Sequence, residues 1–470
     1  MGREDGARPL SGDHTVRVIR SSAAGDRLTE ASFVALDRRL ELAHASVFVD
    51  PRHRFQTFEG FGGAFTEAAA LNFAALPAPQ REEVLSAYFD ARFGHGYRFC
   101  RTHINSCDFS TGEYAYAEPG DLTLERFSIE RDRQALIPFI RAADKVAGGD
   151  LRLLASPWSP PGWMKTNGEM CNGGKLRLEH RELWATYYCR YIRSYEREGI
   201  RIWGVSVQNE PEATQPWESC LYTAEEERNF VRDFLGPALE REGLKHVAIV
   251  IWDHNRDRIV ERASLVLDDT EAARFVWGIG FHWYEGDNFD NVGIVHDAFP
   301  DKKLLLTEAA QEGGTHHGSW ALAERYARAI ISDLNHWAVG WIDWNLLLDE
   351  TGGPNHAGNY CSAPIIADHT TGALHYESSY AAIGHFARYI RPGARRVLCA
   401  SSRDELEATA FEDSDGGLVV VVLNRSDDTI PFHLRVAESI ADLQSPPHSI
   451  STLLVAATSG HHAGDPVGSN

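Results

Sequence analysis

Short apolar runs alternate with longer amphipathic segments through the central part of the chain. The runs are rich in Val, Ile, Leu and aromatic residues, which is typical of buried β-strands. Strands that alternate with helices predict a parallel sheet. The eight predicted strands span residues 59–65, 98–104, 151–156, 203–208, 248–252, 276–282, 303–307 and 340–345.

The segments between these strands carry apolar residues at three- and four-residue steps, which predicts amphipathic helices. Eight strands with intervening helices over roughly 330 residues favour a closed (β/α)8 TIM barrel, predicted here for residues 51–390. A doubly wound open sheet is the alternative architecture. The clearest helices are predicted at residues 77–90, 131–147, 180–198, 223–242 and 320–337, with 376–390 after the last strand.

Both ends of the chain show a different pattern, with short strands and few helical signals. The strands are predicted at residues 15–20, 45–49, 397–400, 407–411, 418–424, 431–436 and 450–455. They predict a side antiparallel β-sandwich formed by residues 14–50 and 391–457. Residues 1–13 and 458–470 are polar and are predicted to be flexible.

The amino-acid composition limits the kinds of molecule that the protein is expected to bind. Lys and Arg number 46 against 67 for Asp and Glu, so the formal net charge is −21. Such a surface repels phosphate backbones, which disfavours a nucleic-acid partner and favours a neutral substrate. No apolar run of about 18 residues is present, so we expect a soluble, cytoplasmic protein without integral membrane association. The oligomeric state has no signature in the sequence.

Seven cysteines are spread without a C-x-x-C pair, and we expect free thiols in a reducing compartment. A metal-dependent function would have to use His282, His316, His317 and Asp343, whose spacing resembles no standard ligand set. The glycine-rich segment 60–63 lacks the G-x-G-x-x-G spacing of dinucleotide-binding proteins, so we interpret it as a tight turn at the first strand.

Two glutamates follow predicted strands directly. Glu210 comes after the fourth strand and Glu308 after the seventh. In a TIM barrel the carboxyl ends of the strands form the active site, so both side chains are expected in one cavity. Cleavage of a glycosidic bond needs one carboxylic acid and one carboxylate, and about 5 Å between them gives retention. A barrel that binds carbohydrate without catalysis is the alternative, and it would suit a chain lacking either glutamate.

Aromatic residues also cluster at the predicted strand ends. Sugars present flat C–H faces that stack on indole and phenol rings, so the cluster indicates a carbohydrate site. Its members are Trp158, Trp163, Trp217, Trp283, Tyr284 and Trp344.

Several segments in a fixed order resemble glycoside hydrolase family 30, the family of acid β-glucosylceramidase and related bacterial glycosidases. The resemblance covers about residues 55–428. It implies a barrel joined to a side β-sandwich, a double displacement with retention, and no metal or organic cofactor. The matching segments are GFGGAFT at 60–66, SCDFS at 106–110, ASPWSPPGWMKTNG at 155–168, QNEP at 208–211, GFHWY at 280–284, GWIDWN at 340–345 and GGPN at 352–355.

The resemblance also implies roles for individual residues. Glu210 matches the general acid/base and Glu308 the nucleophile, so Glu210 is expected to hold the proton beside an ionised Glu308. The implied contacts place Asn209 on the sugar 2-OH, Asp108 and Trp158 on the distal hydroxyls, Trp344 on the pocket wall, His282 and Tyr284 around the nucleophile and pocket, Arg101 on Glu308, and Trp283 and Asn359 in supporting positions.

The implied substrate is a terminal β-linked glucose, as in the glucosylceramidases. β-Xylosidase, β-fucosidase and β-1,6-glucanase activities occur in similar sequences and stay open. The chain departs from the glucosylceramidases at Glu67, at Gly162 and in the loop 311–317. These differences leave the identity of the leaving group undetermined. We expect a small soluble β-glucoside or an oligosaccharide.

Overall fold

The computed structural model describes residues 15–39 and 45–457, which form two compact units. Residues 58–388 form one unit, and the described residues up to Thr57 and from Tyr389 onward form the other. The predicted boundary at residues 50 and 51 falls inside one long strand, Ala45–Thr57. The segments 1–13 and 458–470, predicted to be flexible, lie outside the described residues.

The larger unit contains a closed barrel of eight parallel strands, which confirms the predicted fold. The strands follow one another around the barrel in chain order, and the eighth pairs with the first. Their bounds are Gly60–Phe65, Phe99–Ile104, Arg152–Pro157, Ile202–Ser206, Ala248–Asn255, Val276–His282, Lys303–Glu308 and Ala338–Asn345.

Parallel strands covered on both faces are buried along their whole length, which explains the continuous apolar runs. All six residues of Gly60–Phe65 are buried. The segment 60–63 therefore lies within the first strand, and its interpretation as a tight turn is wrong. A Cβ on Gly62 would lie 1.7 Å from the backbone oxygen of Phe99 in the next strand. The close approach of two strands thus requires a glycine there.

Helices fill the connections between the strands. Two depart from their predicted bounds. The segment 223–242 is broken by a π-helical turn, Val231–Leu235, because Pro237 has no N–H to donate. The segment 131–147 becomes helical only at Leu136. The α-helices are Glu67–Ala75, Ala78–Phe89, Leu136–Val146, Arg181–Arg197, Ala224–Phe230, Gly236–Arg241, Ile259–Leu267, Thr270–Ala273, Phe289–Ala298, Trp320–Asn335 and Ser378–Ala387, with 3-10 turns at Gly162–Met164, Leu178–His180 and Arg256–Arg258.

A small sheet follows the eighth barrel strand and holds the loop that carries Asn355 and Asn359. It consists of Leu347–Asp349, Ile365–Asp368 and Ala373–Tyr376. Among the described residues, no helix is both long and apolar enough to span a membrane.

The smaller unit is a ten-stranded sheet, antiparallel except where Ala45–Thr57 pairs with Ile430–Val436. Val18 and Val420 share one apolar core with Val49 and Leu434, as expected for a β-sandwich. Three of its strands were not predicted: Thr29–Ala35, Asp37–Arg38 and Ser439–Ser445. The remaining strands are Thr15–Ser22, Arg395–Ser401, Leu406–Glu412, Leu418–Asn424 and Ser449–Val455.

Candidate active site

A cavity of about 400 Å³ opens at the carboxyl ends of the barrel strands. Most of the sequence-predicted site residues meet there. The lining residues are Asp108, Trp158, Asn209, Glu210, Glu212, Ala213, Gln215, Trp217, His254, Asn255, Tyr284, Glu285, Glu308, Glu312, Trp344, Asn359 and Cys361.

Glu308 is the last residue of the seventh strand, and both of its carboxylate oxygens are held. Arg101 donates to Oε2 at 2.5 Å, and the Tyr284 hydroxyl donates to Oε1 at 2.9 Å. The two bonds fix the plane of the carboxylate. Arg101 and Tyr284, both predicted to lie near Glu308, therefore each contact its carboxylate directly.

Arg101 is fully buried in the second strand and donates hydrogen bonds to several side chains at once. Besides Glu308, its guanidinium binds Asn209 Oδ1 and Asp253 Oδ2, each at 2.8 Å. Its Nε donates to Ser156 Oγ at 3.0 Å. A buried charge is tolerable only when paired in this way. The bond to Oδ1 also leaves the amide NH2 group of Asn209 to donate to a sugar hydroxyl.

Asp253 is a site residue that sequence reasoning missed. It is fully buried and accepts hydrogen bonds from Ser206 at 2.6 Å and Thr307 at 2.5 Å, in addition to Arg101. Arg101 and His282 outweigh burial and hold the pKa of Asp253 far below its usual value. It lies in the fifth strand, whose predicted end at residue 252 excluded it. The polar triplet 253–255 after an apolar run was the available signal.

Glu210 stands opposite Glu308 and has a strained backbone. Its φ is 47°, a left-handed value uncommon for residues other than glycine, and its N–H donates to the backbone oxygen of Asp253 at 3.0 Å. Its Oε1 lies 3.2 Å from Nδ1 of His282, whose Nε2 lies 3.1 Å from Asp253 Oδ1. His282 is fully buried and does not line the cavity, so it touches the acid/base instead of the sugar or the nucleophile.

One carboxylate oxygen from each of Glu210 and Glu308 and one ring nitrogen of His282 lie within 4.8 Å of one another. Within the described residues, this is the group whose spacing suits a metal ion. Both nitrogens of His282 already face carboxylates, however, and the guanidinium of Arg101 opposes a cation. The set is better suited to transferring protons than to holding a metal.

The surroundings shift the pKa values of the two glutamates in opposite directions. Burial raises the pKa of Glu308, and the neighbouring Glu210 adds to this against His282 and Arg101. Burial alone would raise the pKa of Glu210 as well, but the hydrogen bond from His282 and the nearby positive charges lower it overall. The lowered pKa of Glu210 depends on the positive charge of His282. Burial opposes its charge, yet Glu308, Asp253 and Glu210 raise its pKa to about 9.

The far side of the cavity offers hydroxyl acceptors and an aromatic wall. Oδ2 of Asp108 accepts from the amide groups of Asn355 and Asn359, each at 3.1 Å, which leaves Oδ1 for a ligand. Burial raises the pKa of Asp108 to about 7. Trp158 and Trp344 stack with ring centroids 5.0 Å apart. Asn355 was not among the predicted site residues, although it ends a segment singled out in the sequence.

Two of the predicted aromatic residues lie elsewhere. Trp283 is buried, donates to the backbone oxygen of Ala310, and packs edge-on against Trp341. Trp163 lines a separate surface cavity beside His180. A strand-end position alone does not decide which way a ring points.

The residues of the metal alternative are not brought together either. His317 pairs with Glu377, and His316 contacts the backbone oxygen of Glu312. Asp343 accepts a hydrogen bond from the hydroxyl of Tyr326.

Comparison with known families gives the same assignment as the geometry. The model of the Glycosyl hydrolase family 30 TIM-barrel domain matches residues 58–390. The model of the Glycosyl hydrolase family 30 beta sandwich domain matches residues 393–453. The chain belongs to glycoside hydrolase family 30. It is therefore a glycoside hydrolase, as the paired glutamates predict.

Relatives in this family extend over nearly the whole chain. Lysosomal acid glucosylceramidase of Mus musculus is 36% identical over 426 residues, covering 86% of this chain and 82% of the mouse protein. The crystal structure of SrfJ from Salmonella typhimurium has a TM-score of 0.91 at 40% identity, covering 94% of this chain and 99% of SrfJ. The endo-β1,6-glucanase BT3312 has a TM-score of 0.85 at 25% identity, with 94% and 99% covered.

Proposed function

We propose that this protein releases terminal β-linked glucose with retention of configuration. The observation that carries the proposal is the distance of at most 4.8 Å between the nearest carboxylate oxygens of Glu210 and Glu308. Retaining glycosidases hold their carboxyl groups about 5 Å apart, whereas inverting enzymes need about 6.5–9.5 Å to admit a water molecule. The narrow separation supports a covalent intermediate.

The reaction follows from the two environments. Glu308 attacks the anomeric carbon while Glu210 protonates the departing oxygen, so a glycosyl ester forms and the glycosidic bond breaks. Glu210 then takes a proton from water, which attacks the same carbon and frees Glu308. Asn209 is positioned by Arg101 to donate to the 2-OH, a contact that strengthens in the oxocarbenium-like transition state.

The acid's proton is stored on the neighbouring imidazole in this proposal. Glu210 and His282 together hold one proton, and the raised pKa of His282 places it on the ring in the free enzyme. The contact of 3.2 Å lets the proton pass to Glu210 as the leaving oxygen gains charge. Glu210 can thus act as a general acid although its own pKa is lowered.

Glucose is favoured by the sugar side of the cavity. The free Oδ1 of Asp108 is a hydroxyl acceptor, and burial makes an unmatched acceptor costly. A sugar that lacks the matching hydroxyl is therefore disfavoured. The relatives named as glucosylceramidase and endo-β1,6-glucanase both imply β-linked glucose as the sugar.

Endo-β1,6-glucanase activity is the second candidate. The likeness to BT3312 over 94% of this chain favours it. The two candidates share the mechanism and differ in whether further glucose units lie beyond the first subsite. Products from gentio-oligosaccharides separate them, because an enzyme that acts on the terminal unit yields only glucose and the chain shortened by one unit at early times, whereas an endo-acting enzyme also yields other oligosaccharides.

The mechanism is tested by replacing each glutamate and supplying azide. We expect Glu308→Gly to lower kcat on an aryl β-glucoside by at least about 10⁴-fold, or about 5.5 kcal/mol, and to yield the α-glycosyl azide. Glu210→Ala should yield the β-glycosyl azide, because its nucleophile is intact. NMR of the first azide product distinguishes the anomers.

Glu212→Ala is the matched control, since this carboxylate lines the same cavity but pairs with Arg258 and Arg262. It should form no glycosyl azide. An α-azide from the Glu210 variant, or none from the Glu308 variant, would overturn the assignment.

A further inference from the structure

The fifth strand directs two neighbouring side chains, Asp253 and His254, to different parts of the site. Trp252 pairs with Gly280 and His254 with Phe281, so Asp253 is an extra residue in a β-bulge. Trp252 and Asp253 have left-handed φ values of 70° and 51°. A bulge redirects side chains at a strand end. Here Asp253 is buried beneath the site, and His254 lines the cavity next to Glu210.

The hydrogen bond of His254 fixes its tautomer. The backbone N–H of Asn255 donates to Nδ1 at 2.8 Å, so the neutral ring carries its proton on Nε2. Burial lowers the pKa of His254 and keeps the ring neutral. The imidazole also stacks on Trp252, with centroids 5.0 Å apart and planes 21° apart. Orientation and protonation are thus both set by the fifth strand.

The Nε2–H group has no protein acceptor among residues 15–39 and 45–457, and it belongs to a ring that lines the cavity beside the acid. Glu210 protonates the departing oxygen, so the group next to it meets the leaving group. An oriented N–H donor at this position suits a hydroxyl group of the substrate as its acceptor. We infer that His254 Nε2–H binds a hydroxyl of the leaving group, so that the enzyme selects a sugar aglycone over a lipid.

The rest of this wall agrees with a polar leaving group. Besides Ala213 and the half-buried Trp217, its side chains are carboxylates and amides: Glu212, Gln215, Asn255, Glu285 and Glu312. A lipid needs apolar surface near the mouth of the cavity. Of the large apolar side chains exposed in the described residues, none lines this cavity. The inference rests on the proposed function and specifies its substrate class.

The test compares His254→Asn with His254→Gln. The Asn side chain can accept from Asn255 but does not reach the position of Nε2, whereas the Gln amide does. Substrates are gentiobiose, an aryl β-glucoside and glucosylceramide in detergent micelles. We expect His254→Asn to lower kcat/KM on gentiobiose at least about tenfold more than on the aryl glucoside. His254→Gln should restore most of that difference.

His246→Asn is the matched control, because this exposed histidine precedes the same strand at its other end. Equal losses on gentiobiose and the aryl glucoside in His254→Asn, or no recovery in His254→Gln, would overturn the inference. A native kcat/KM higher on glucosylceramide than on gentiobiose would also overturn it. Failure of the proposed function looks different, since the native enzyme would then release glucose from none of the three substrates.

Discussion

The surroundings of Glu308 and of Glu210 differ in the kind of group that holds each carboxyl. Glu308 is bound by a guanidinium and a phenol, Arg101 and Tyr284, which keep their protonation states across the neutral pH range. Glu210 is bound by the imidazole of His282, which can gain or lose a charge. The nucleophile is therefore held by groups whose own charge does not change, whereas the acid/base is bound to a group that can gain or lose a proton.

Asp253 joins the two surroundings. It accepts from Arg101 through Oδ2 and faces His282 through Oδ1. One buried carboxylate thus orients the cation beside the nucleophile and the imidazole beside the acid. Asp253 does not line the cavity, yet it positions a partner of each catalytic glutamate.

The largest effect is expected from removing the permanent positive charge of Arg101 beside Glu308, which tests the contrast between the two surroundings directly. Arg101→Met leaves two buried carboxylates without their cation, so we expect a loss of about 3–5 kcal/mol in the free energy of unfolding. The misplaced nucleophile should lower kcat by about 10³-fold. Urea denaturation and hydrolysis of an aryl β-glucoside measure the two effects.

Arg126→Met provides the control, because the ion pair of Arg126 with Glu118 is exposed and should contribute at most about 1 kcal/mol. An Arg101→Met protein with near-native stability and turnover would mean that the guanidinium is not what holds Glu308.

Sequence patterns predicted the framework of this site well. The eight barrel strands were recognisable because buried parallel strands have unbroken apolar runs, and Glu308 is the last residue of one of these strands. Arg101, Tyr284 and Asp108 came from the family resemblance; Arg101 and Tyr284 contact Glu308, and Asp108 lines the cavity. Such assignments succeed where position along a strand decides the outcome.

The hydrogen-bond network below the cavity could not be predicted in the same way. Asp253 owes its inward position to a bulge, and the register also shifts between Phe281 and His282. A shift of one residue exchanges the two faces of a strand, and nothing in residue periodicity marks it. The contact of His282 with Glu210 was missed for the same reason.

A second prediction concerns the movable proton. The groups that face His282 are Asp253, Glu210, Glu308, His254 and Tyr284. In the native enzyme, activity should fall at alkaline pH as the ring loses its proton near pH 9. With His282→Gln, Glu210 must hold the proton alone. We expect the alkaline limb of kcat/KM to move about three pH units lower, which leaves about 10²-fold less activity at pH 8.

Stability gives an independent measurement of the same group. The folded pKa of His282, about 9, lies above the ordinary value of 6.5. Its contribution is therefore complete below pH 6.5 and is lost as pH rises through 9, by up to about 3 kcal/mol. The fall should be absent in His282→Gln and retained in His336→Gln, whose ring lies at a helix end and faces Asp290. An unmoved alkaline limb would contradict the proton-storing role.

The smallest expected effect comes from the uncharged partner of Glu308. Tyr284→Phe removes the hydrogen bond to Oε1 but leaves Arg101 on Oε2, so the carboxylate keeps its charge and loses part of its orientation. We expect kcat to fall about tenfold, or about 1.4 kcal/mol, with the alkaline limb unmoved, because burial holds the pKa of Tyr284 well above 10. Tyr376→Phe is the control, since its hydroxyl binds the exposed Glu83. A shifted limb in Tyr284→Phe would show that the phenol also influences the proton on Glu210, and the two surroundings would then be less separate than their contacts indicate.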